Sequence, residues 1–263
     1  MNILDKIVMH KRAEVDKQKR LISVRQLEQS LHFKRFPLSF SEHIEHGSGV
    51  VAEHKRRSPS KGIINDRLNH IDVIAGYQHA GASAVSVLTD EHFFGGNLYH
   101  LETARQKVTI PLLRKDFIID PYQVMEAKAA GADAILLIAR ILTKKEVSDL
   151  TSLTQSHGME VLLEIHNEEE LEKISPLTDV VGINNRNLQT FEVDVQQSID
   201  LCNQLPEGII RIAESGIDSP EKATQLKRAG FNGFLMGEYF MRSSYPPERC
   251  RTFINEMEAQ YDS

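Results

Sequence analysis

The 263-residue chain has no tryptophan and only two cysteines, Cys202 and Cys250. Two cysteines cannot make a disulfide framework, so a reducing, cytoplasmic compartment is expected. No apolar run approaches the roughly 18 residues that a membrane span needs. The charged N-terminus MNILDKIVMHKRAEVDKQKR lacks the apolar core and cleavage site of a signal peptide. With 31 Lys and Arg against 37 Asp and Glu, the net charge is −6 and no large basic block stands out, which argues against a nucleic-acid partner. No Walker loop is present and no GxGxxG follows a strand-like run, which speaks against nucleotide cofactors. The eleven histidines show no HExxH or other metal-ligand spacing, so no metal site is expected. A composition 41% hydrophobic and 26% charged is that of an ordinary globular chain, long enough to bury its own core. These exclusions leave a protein acting on small molecules.

Eight short apolar runs ending in polar residues begin at residue 50. They are Val50–Glu53, Ala84–Leu88, Pro111–Lys115, Ala134–Ile138, Val161–Glu164, Val180–Asn184, Ile209–Ser215 and Gly233–Gly237. Their ends lie about 26 residues apart on average, the size of one βα unit. Helix signals fall between them. Asp120-Pro121 and Ser219-Pro220 each set a cap before a proline at the first helical position, and Gly131 and Gly230 are the matching stops. Thr143–Glu146 and Asn167–Glu170 both resemble capping boxes. Before residue 50, helical spacing places Ile3, Leu4, Ile7 and Val8 together, Ser23 caps a segment with Leu27 and Leu31 on one face, and Phe40–Ile44 forms a short turn. No Gly/Ser/Pro linker interrupts the series. The expected architecture is an α/β (βα)8 TIM barrel in a single domain, 1–263, with a helical extension at 1–47 and the barrel at 48–263. A doubly wound sheet is the second choice.

In such a barrel the chemistry sits at the C-terminal strand ends. Those ends carry Glu53 and Lys55, Lys115, Glu164, Asn184 and the pair Glu214-Ser215. Strand alternation puts Glu53 and Lys55 on one face and His54 on the other. A strand-end salt bridge would explain that pair alone. Four charges converging on one rim would instead shift one another's pKa values, as acid–base catalysis requires. Alternation cannot say whether Glu214 or Ser215 faces inward. Ser215-Gly216 and Gly237-Glu238 end the seventh and eighth runs, where barrels often seat a phosphate on backbone N–H groups. Singly, each glycine reads as a turn. The segment SPSKG offers Ser58, Ser60 and Lys61 as a lid beside Lys55, or else a solvated loop. Phe93-Phe94 reads as apolar packing, with the further option of rings offered to an aromatic substrate.

The segments VVAEHKRRSPSKG, SVLTDEHFFGGN, PLLRKDFIIDPYQVMEAKAAGADAILLI, VLLEIHNEEEL, VGINNRNL, IAESGI and GFLMGE together resemble the indole-3-glycerol phosphate synthase family of tryptophan biosynthesis, in its order and over residues 50 to 238. The resemblance implies a phosphate-binding barrel that closes the indole ring of 1-(o-carboxyphenylamino)-1-deoxyribulose 5-phosphate, releasing carbon dioxide and water without cofactor or metal. It implies that Lys115 is the general acid toward the substrate carbonyl and Glu164 the proton carrier of the dehydration. Glu53 and Lys55 support them, Lys55 also lying near the substrate carboxylate or phosphate; how the acid role divides between the two lysines stays open. Asn184 orients substrate oxygens with Arg186 on the same face, and Glu214 lines the site. Ser215, Gly216, Gly237 and Glu238 form the phosphate cradle, with Ser58 as an added contact. The N-terminal helices look like the family's extension near the barrel mouth. Three positions depart from its usual pattern: His54, where an aliphatic or aromatic residue is usual, Asn97, where serine is frequent, and Glu238, where some members carry serine. A carboxylate aimed at phosphate is unfavourable, so the backbone N–H is expected to make that contact.

Monomer and homodimer both stay open, as does association with other tryptophan-pathway enzymes; no fused one is expected after the barrel. Two other readings remain. One is another sugar-phosphate barrel, such as a Schiff-base aldolase using Lys115 or an isomerase. The other is an inactive barrel serving as a scaffold, which would be expected to have lost the charged strand ends retained here.

Overall fold

The computed structural model describes residues 3–59, 61–186 and 194–261; Ser60, and Asn187 and Leu188 of the VGINNRNL segment, lie outside the described residues. Eight parallel strands close a barrel: β1 (Val50–His54), β2 (Ala84–Leu88), β3 (Leu112–Lys115), β4 (Ala134–Ile138), β5 (Glu160–Ile165), β6 (Val180–Asn184), β7 (Ile210–Glu214) and β8 (Gly233–Met236). Each pairs with its sequence neighbours, and β8 returns to β1 through Val50↔Phe234 to Ala52↔Met236. The eight apolar runs match these strands to within a residue or so, because an interior parallel strand buried on both faces must read as a continuous apolar run. A small hairpin, Arg57–Ser58 with Gly62–Ile63, rises from the loop after β1.

Two apolar layers follow from strand alternation. Val51, Leu113, Leu136, Leu162, Val180 and Ile212 fill the barrel interior. Val50, Val85, Leu137, Leu163 and Val181 face outward against the helices. Those helices include α4 (His70–His79), α9 (Val195–Cys202) and α12 (Pro246–Tyr261), and three others start where the sequence signals predicted. Asp120 caps α7 (Pro121–Ala130), which stops at left-handed Gly131, φ 88°. Thr143 and Glu146 form a full capping box on α8 (Lys144–Ser156), and Ser219 caps α10 (Pro220–Arg228). The Asn167–Glu170 signal yields a 3-10 helix, Glu168–Lys173. Asn167 accepts from Glu170 N–H as a cap should, but the Glu170 carboxylate accepts from His166 N–H at 2.7 Å and leaves the box half closed.

The N-terminal segment straps the barrel from rim to base. α1 (Ile3–Leu21) lies over the mouth, and its Val15 packs with Tyr122, Met125 and Ala129 of α7. α2 (Val24–Leu27) follows, with Ser23 and Gln26 closing a capping box. Leu31 does not share a buried face with Leu27: it is 86% exposed. The chain tightens after Leu27 to three-residue hydrogen bonds, Gln29 N–H to Gln26 and Ser30 N–H to Leu27, and so loses the four-residue register. α3 (Phe40–His46) then plugs the base, with Phe40 and Ile44 fully buried against the interior layer. Burial of two such side chains contributes about 1.5–3 kcal/mol each.

Candidate active site

The C-terminal rim encloses a cavity of about 860 Å³ with two unlike halves. One half is apolar, walled by Ile3, Leu4 and Ile7 of α1 together with Phe94, Phe117 and Leu136. The other carries Lys61, Arg186, Lys222, Arg242 and Arg249 around Ser215, Gly216, Gly237 and Glu238. Glu53, Lys55, Ser58, Lys115, Glu164, Asn184 and Glu214 also line it, so the rim gathers all of the residues expected at a site.

Lys115, at the end of β3, is the hub. Its ammonium lies 2.5 Å from Glu214, 3.7 Å from Glu164 and 4.0 Å from Glu53. Burial alone would discharge it, yet the three carboxylates outweigh burial and hold its pKa above the ordinary lysine value. A Schiff-base lysine needs the opposite shift. Glu53 lies 2.6 Å from Lys55, and both point into the barrel. Burial opposes its charge too, but Lys55 and Lys115 prevail and lower its pKa. The strand register settles the Glu214 ambiguity: Glu214, opposite Asn184 and Leu235, faces inward and is 1% exposed. Burial, with Glu164 and Glu53 nearby, pushes its pKa up to about 7 against the pull of Lys115. Asn184 donates to Glu164 at 3.2 Å and accepts from Arg186 N–H.

Ser215 follows with φ 68°, the left-handed backbone region that side chains resist, and Gly216 continues it at φ 70°. Asn185 holds the turn by donating to the Ser215 carbonyl at 2.7 Å. Sequence reasoning missed Asn185, since alternation points it away from the site. Glu238 opens the short helix α11 (Glu238–Met241), with Gly237 before it. Its carboxylate pairs with three cations: Arg242 at 2.5 Å, Arg186 at 3.7 Å and Lys61 at 4.0 Å.

The three departures have physical readings. His54 is 2% exposed behind β1, with its ring 5.9 Å from His100 and 6.3 Å from His70. Burial first, then these neighbours, lowers its pKa to about 3. Asn97 caps α6 (Leu98–Arg105), accepting from Tyr99 N–H. Phe94 lines the cavity 5.9 Å from Phe117, whereas Phe93 stacks edge-on against His10 and His92. Among the described residues no His, Cys, Asp or Glu group is arranged to hold a metal ion.

A closed parallel barrel with an acid–base cluster at its C-terminal rim defines a (βα)8-barrel enzyme. A family model described as indole-3-glycerol phosphate synthase matches residues 4–253. The indole-3-glycerol phosphate synthase of Bacteroides thetaiotaomicron is 46% identical over 258 residues, covering 98% of this chain and 99% of its own. That of Salinibacter ruber is 43% identical over 252 residues, 94% of this chain and 93% of its own. The chain belongs to the indole-3-glycerol phosphate synthase family. Solved structures of similar fold include the tryptophan synthase alpha chain of Legionella pneumophila, at TM-score 0.60 and 14% identity over 85% of this chain and 97% of that one. A Pyrococcus furiosus tryptophan synthase chain matches at TM-score 0.61 and 14% identity, over 81% and 98%. At that identity they speak for the barrel alone.

Proposed function

We propose that the rim cavity binds 1-(o-carboxyphenylamino)-1-deoxyribulose 5-phosphate and converts it to indole-3-glycerol phosphate, carbon dioxide and water, as a carboxy-lyase of tryptophan biosynthesis. One observation carries the assignment of the site. The charged Lys115 sits among three carboxylates where an apolar half-cavity meets a cationic one. The aromatic ring of the substrate occupies the apolar half, between Ile7, Phe94 and Phe117. Its phosphate sits on the Ser215-Gly216 and Gly237-Glu238 backbone, with Ser58 and Arg186 beside it. This seating folds the ring carbon onto the sugar carbonyl, so remote binding contributes to the barrier.

The ring carbon that bears the carboxylate bonds to the carbonyl carbon, and the oxygen gains negative charge beside Lys115. Although Lys115 is a weakened acid, an alkoxide is more basic than an amine, so the proton passes downhill. Carbon dioxide departs and its bonding pair restores the aromatic ring. A second proton, from Lys55 or a reprotonated Lys115, turns the new hydroxyl into water. Glu164, held by Asn184, takes the proton lost as the indole double bond forms. Glu53 keeps Lys55 in place, and Glu214 keeps Lys115 in place.

We further propose a single domain, 1–263, with 1–47 as the helical extension and 48–263 as the barrel, supported by the strap of α1–α3 from rim to base. A cytoplasmic site of action is supported by two free, buried cysteines. Among the described residues no helix is long and apolar enough to cross a membrane. The enzyme acts as a monomer or homodimer, which light scattering separates, and a pull-down from the same cells tests association with other pathway enzymes. The function itself is tested by incubating purified protein with the substrate and following indole fluorescence. With no tryptophan in the chain, the protein's own background is that of tyrosine. A rise is expected; none at saturating substrate refutes the reading.

A further inference from the structure

Lys11, on the charged N-terminal helix, is completely buried. Its ammonium lies 2.9 Å from each of three carboxylates: Glu14 on its own helix, Asp90 after β2 and Asp116 after β3. None of these groups is used by the chemistry above, and a lysine in a dry site is costly unless it is paired. Its partners hold cavity-lining segments. Asp90 caps α5 (Glu91–Phe94), accepting from Phe93 N–H at 2.7 Å, and that turn delivers Phe94 to the cavity wall. Asp116 accepts from Phe117 N–H at 2.8 Å, and Phe117 is the facing ring. One turn before Lys11 on its own helix is Ile7, and Leu4 lies a turn further up; both line the same wall. Thus three of the four pieces of the apolar half-cavity, all but Leu136 of β4, are tied to one ammonium. Thr89 and Arg114 complete the shell by donating to the other Asp116 oxygen, at 2.6 Å and 3.2 Å.

We propose that Lys11 is a positioning residue for substrate recognition: it fixes the wall that grips the aromatic end of the substrate, without touching the phosphate end. This rests on the orientation proposed above. The proposed phosphate cradle is built from β7, β8 and the loops that follow them, and among the described residues Lys11 has no ion pair or hydrogen bond to any of these elements.

The test measures two constants on Lys11→Met and the wild type: KM for the carboxyphenylamino-deoxyribulose phosphate, and Ki for inorganic phosphate as a competitor. Loss of the anchor is expected to raise KM at least tenfold, with kcat within threefold and phosphate Ki within twofold of wild type. A general loss of structure would move both constants together, and that outcome overturns the proposal. An unchanged KM overturns it as well. Should Lys11→Met fail to accumulate, Lys11→Gln keeps a donor to Asp90 and Asp116. On it a threefold or larger rise in KM at constant Ki is expected, and a wild-type KM refutes the role. If neither variant accumulates, Lys11 serves the fold as a whole and the positioning role is lost. Turnover by the wild type without an effect at Lys11 defeats this inference alone; no turnover by the wild type defeats it together with the reading on which it rests.

Discussion

Glu214→Gln separates what the rim cluster costs the fold from what it contributes to the chemistry. The Glu214 carboxyl is 1% exposed, and burial together with Glu164 and Glu53 raises its pKa from an ordinary 4.5 to about 7 in the folded chain. A group whose folded pKa is raised stabilises the fold fully below its unfolded value, and that stability is lost as pH rises through the folded value. The window is therefore pH 4.5 to 7. Between pH 5.5 and pH 8 the wild type should lose about 2 kcal/mol relative to a variant that cannot titrate there. Lys115 does not blur the comparison. Its pKa is raised, so its own contribution is constant below the lysine range, and in the variant it still faces Glu164 and Glu53. Urea unfolding of both proteins at pH 5.5, 6.5, 7.5 and 8 gives the difference directly. The stability gap should move in favour of the glutamine form as pH rises. A gap that stays flat across this range refutes the raised pKa and the crowding of carboxylates that causes it. Activity should move the other way, because the variant loses a charged hydrogen bond to Lys115, worth about 1.5–3 kcal/mol. A fall in kcat/KM of roughly 10- to 150-fold corresponds to that loss.

Lys115→Ala and Glu164→Gln should each lower turnover by roughly 10²- to 10⁴-fold while circular dichroism stays native; near-normal turnover in either removes its assigned role. Glu238→Gln frees Arg186, Arg242 and Lys61 from a carboxylate beside the cradle, so inorganic phosphate should inhibit severalfold more tightly. Weaker inhibition would mean that Glu238 organises those cations for the anion. His54→Leu should flatten the acid side of the stability profile. The folded pKa of His54 is lowered to about 3, so its neutral burial stabilises above pH 6.5 and is lost as pH falls. At pH 5 the leucine form should gain about 2 kcal/mol on the wild type relative to pH 7.5. Equal acid sensitivity by urea titration counts against it.

Much of this was legible in the order of residue types. Parallel strands buried on both faces leave uninterrupted apolar runs, so all eight could be placed, and the capping residues at Asp120, Thr143 and Ser219 placed the helices between them. Alternation put Glu53 and Lys55 on one face and His54 on the other, and closure of the barrel makes the first face the inner one. It could not orient Glu214, because the strand ends there and the next residue turns left-handed. Lys11 was hidden for another reason. A lysine among Lys, Arg, Asp and Glu on an amphipathic helix reads as solvated, and only its distant partners Asp90 and Asp116 make it a buried one.

The least legible part of the site consists of side chains that are missing. Gly182 and Gly237 both have negative φ, so neither is required by its backbone conformation. A Cβ on Gly182 would collide with the Glu214 carboxylate, and one on Gly237 would lie 2.6 Å from Glu53 Oε1. Each glycine leaves room for an inward-facing carboxylate contributed by a neighbouring strand. Gly237 therefore has two consequences: the backbone can approach an anion on one side, and Glu53 can remain beside Lys55 on the other. Any side chain there would press on Glu53 and so disturb its pairing with Lys55. Gly237 thus serves more than the cradle proposed for it: the same absent methyl group would couple the proposed anchoring end of the cavity to the proposed reacting end.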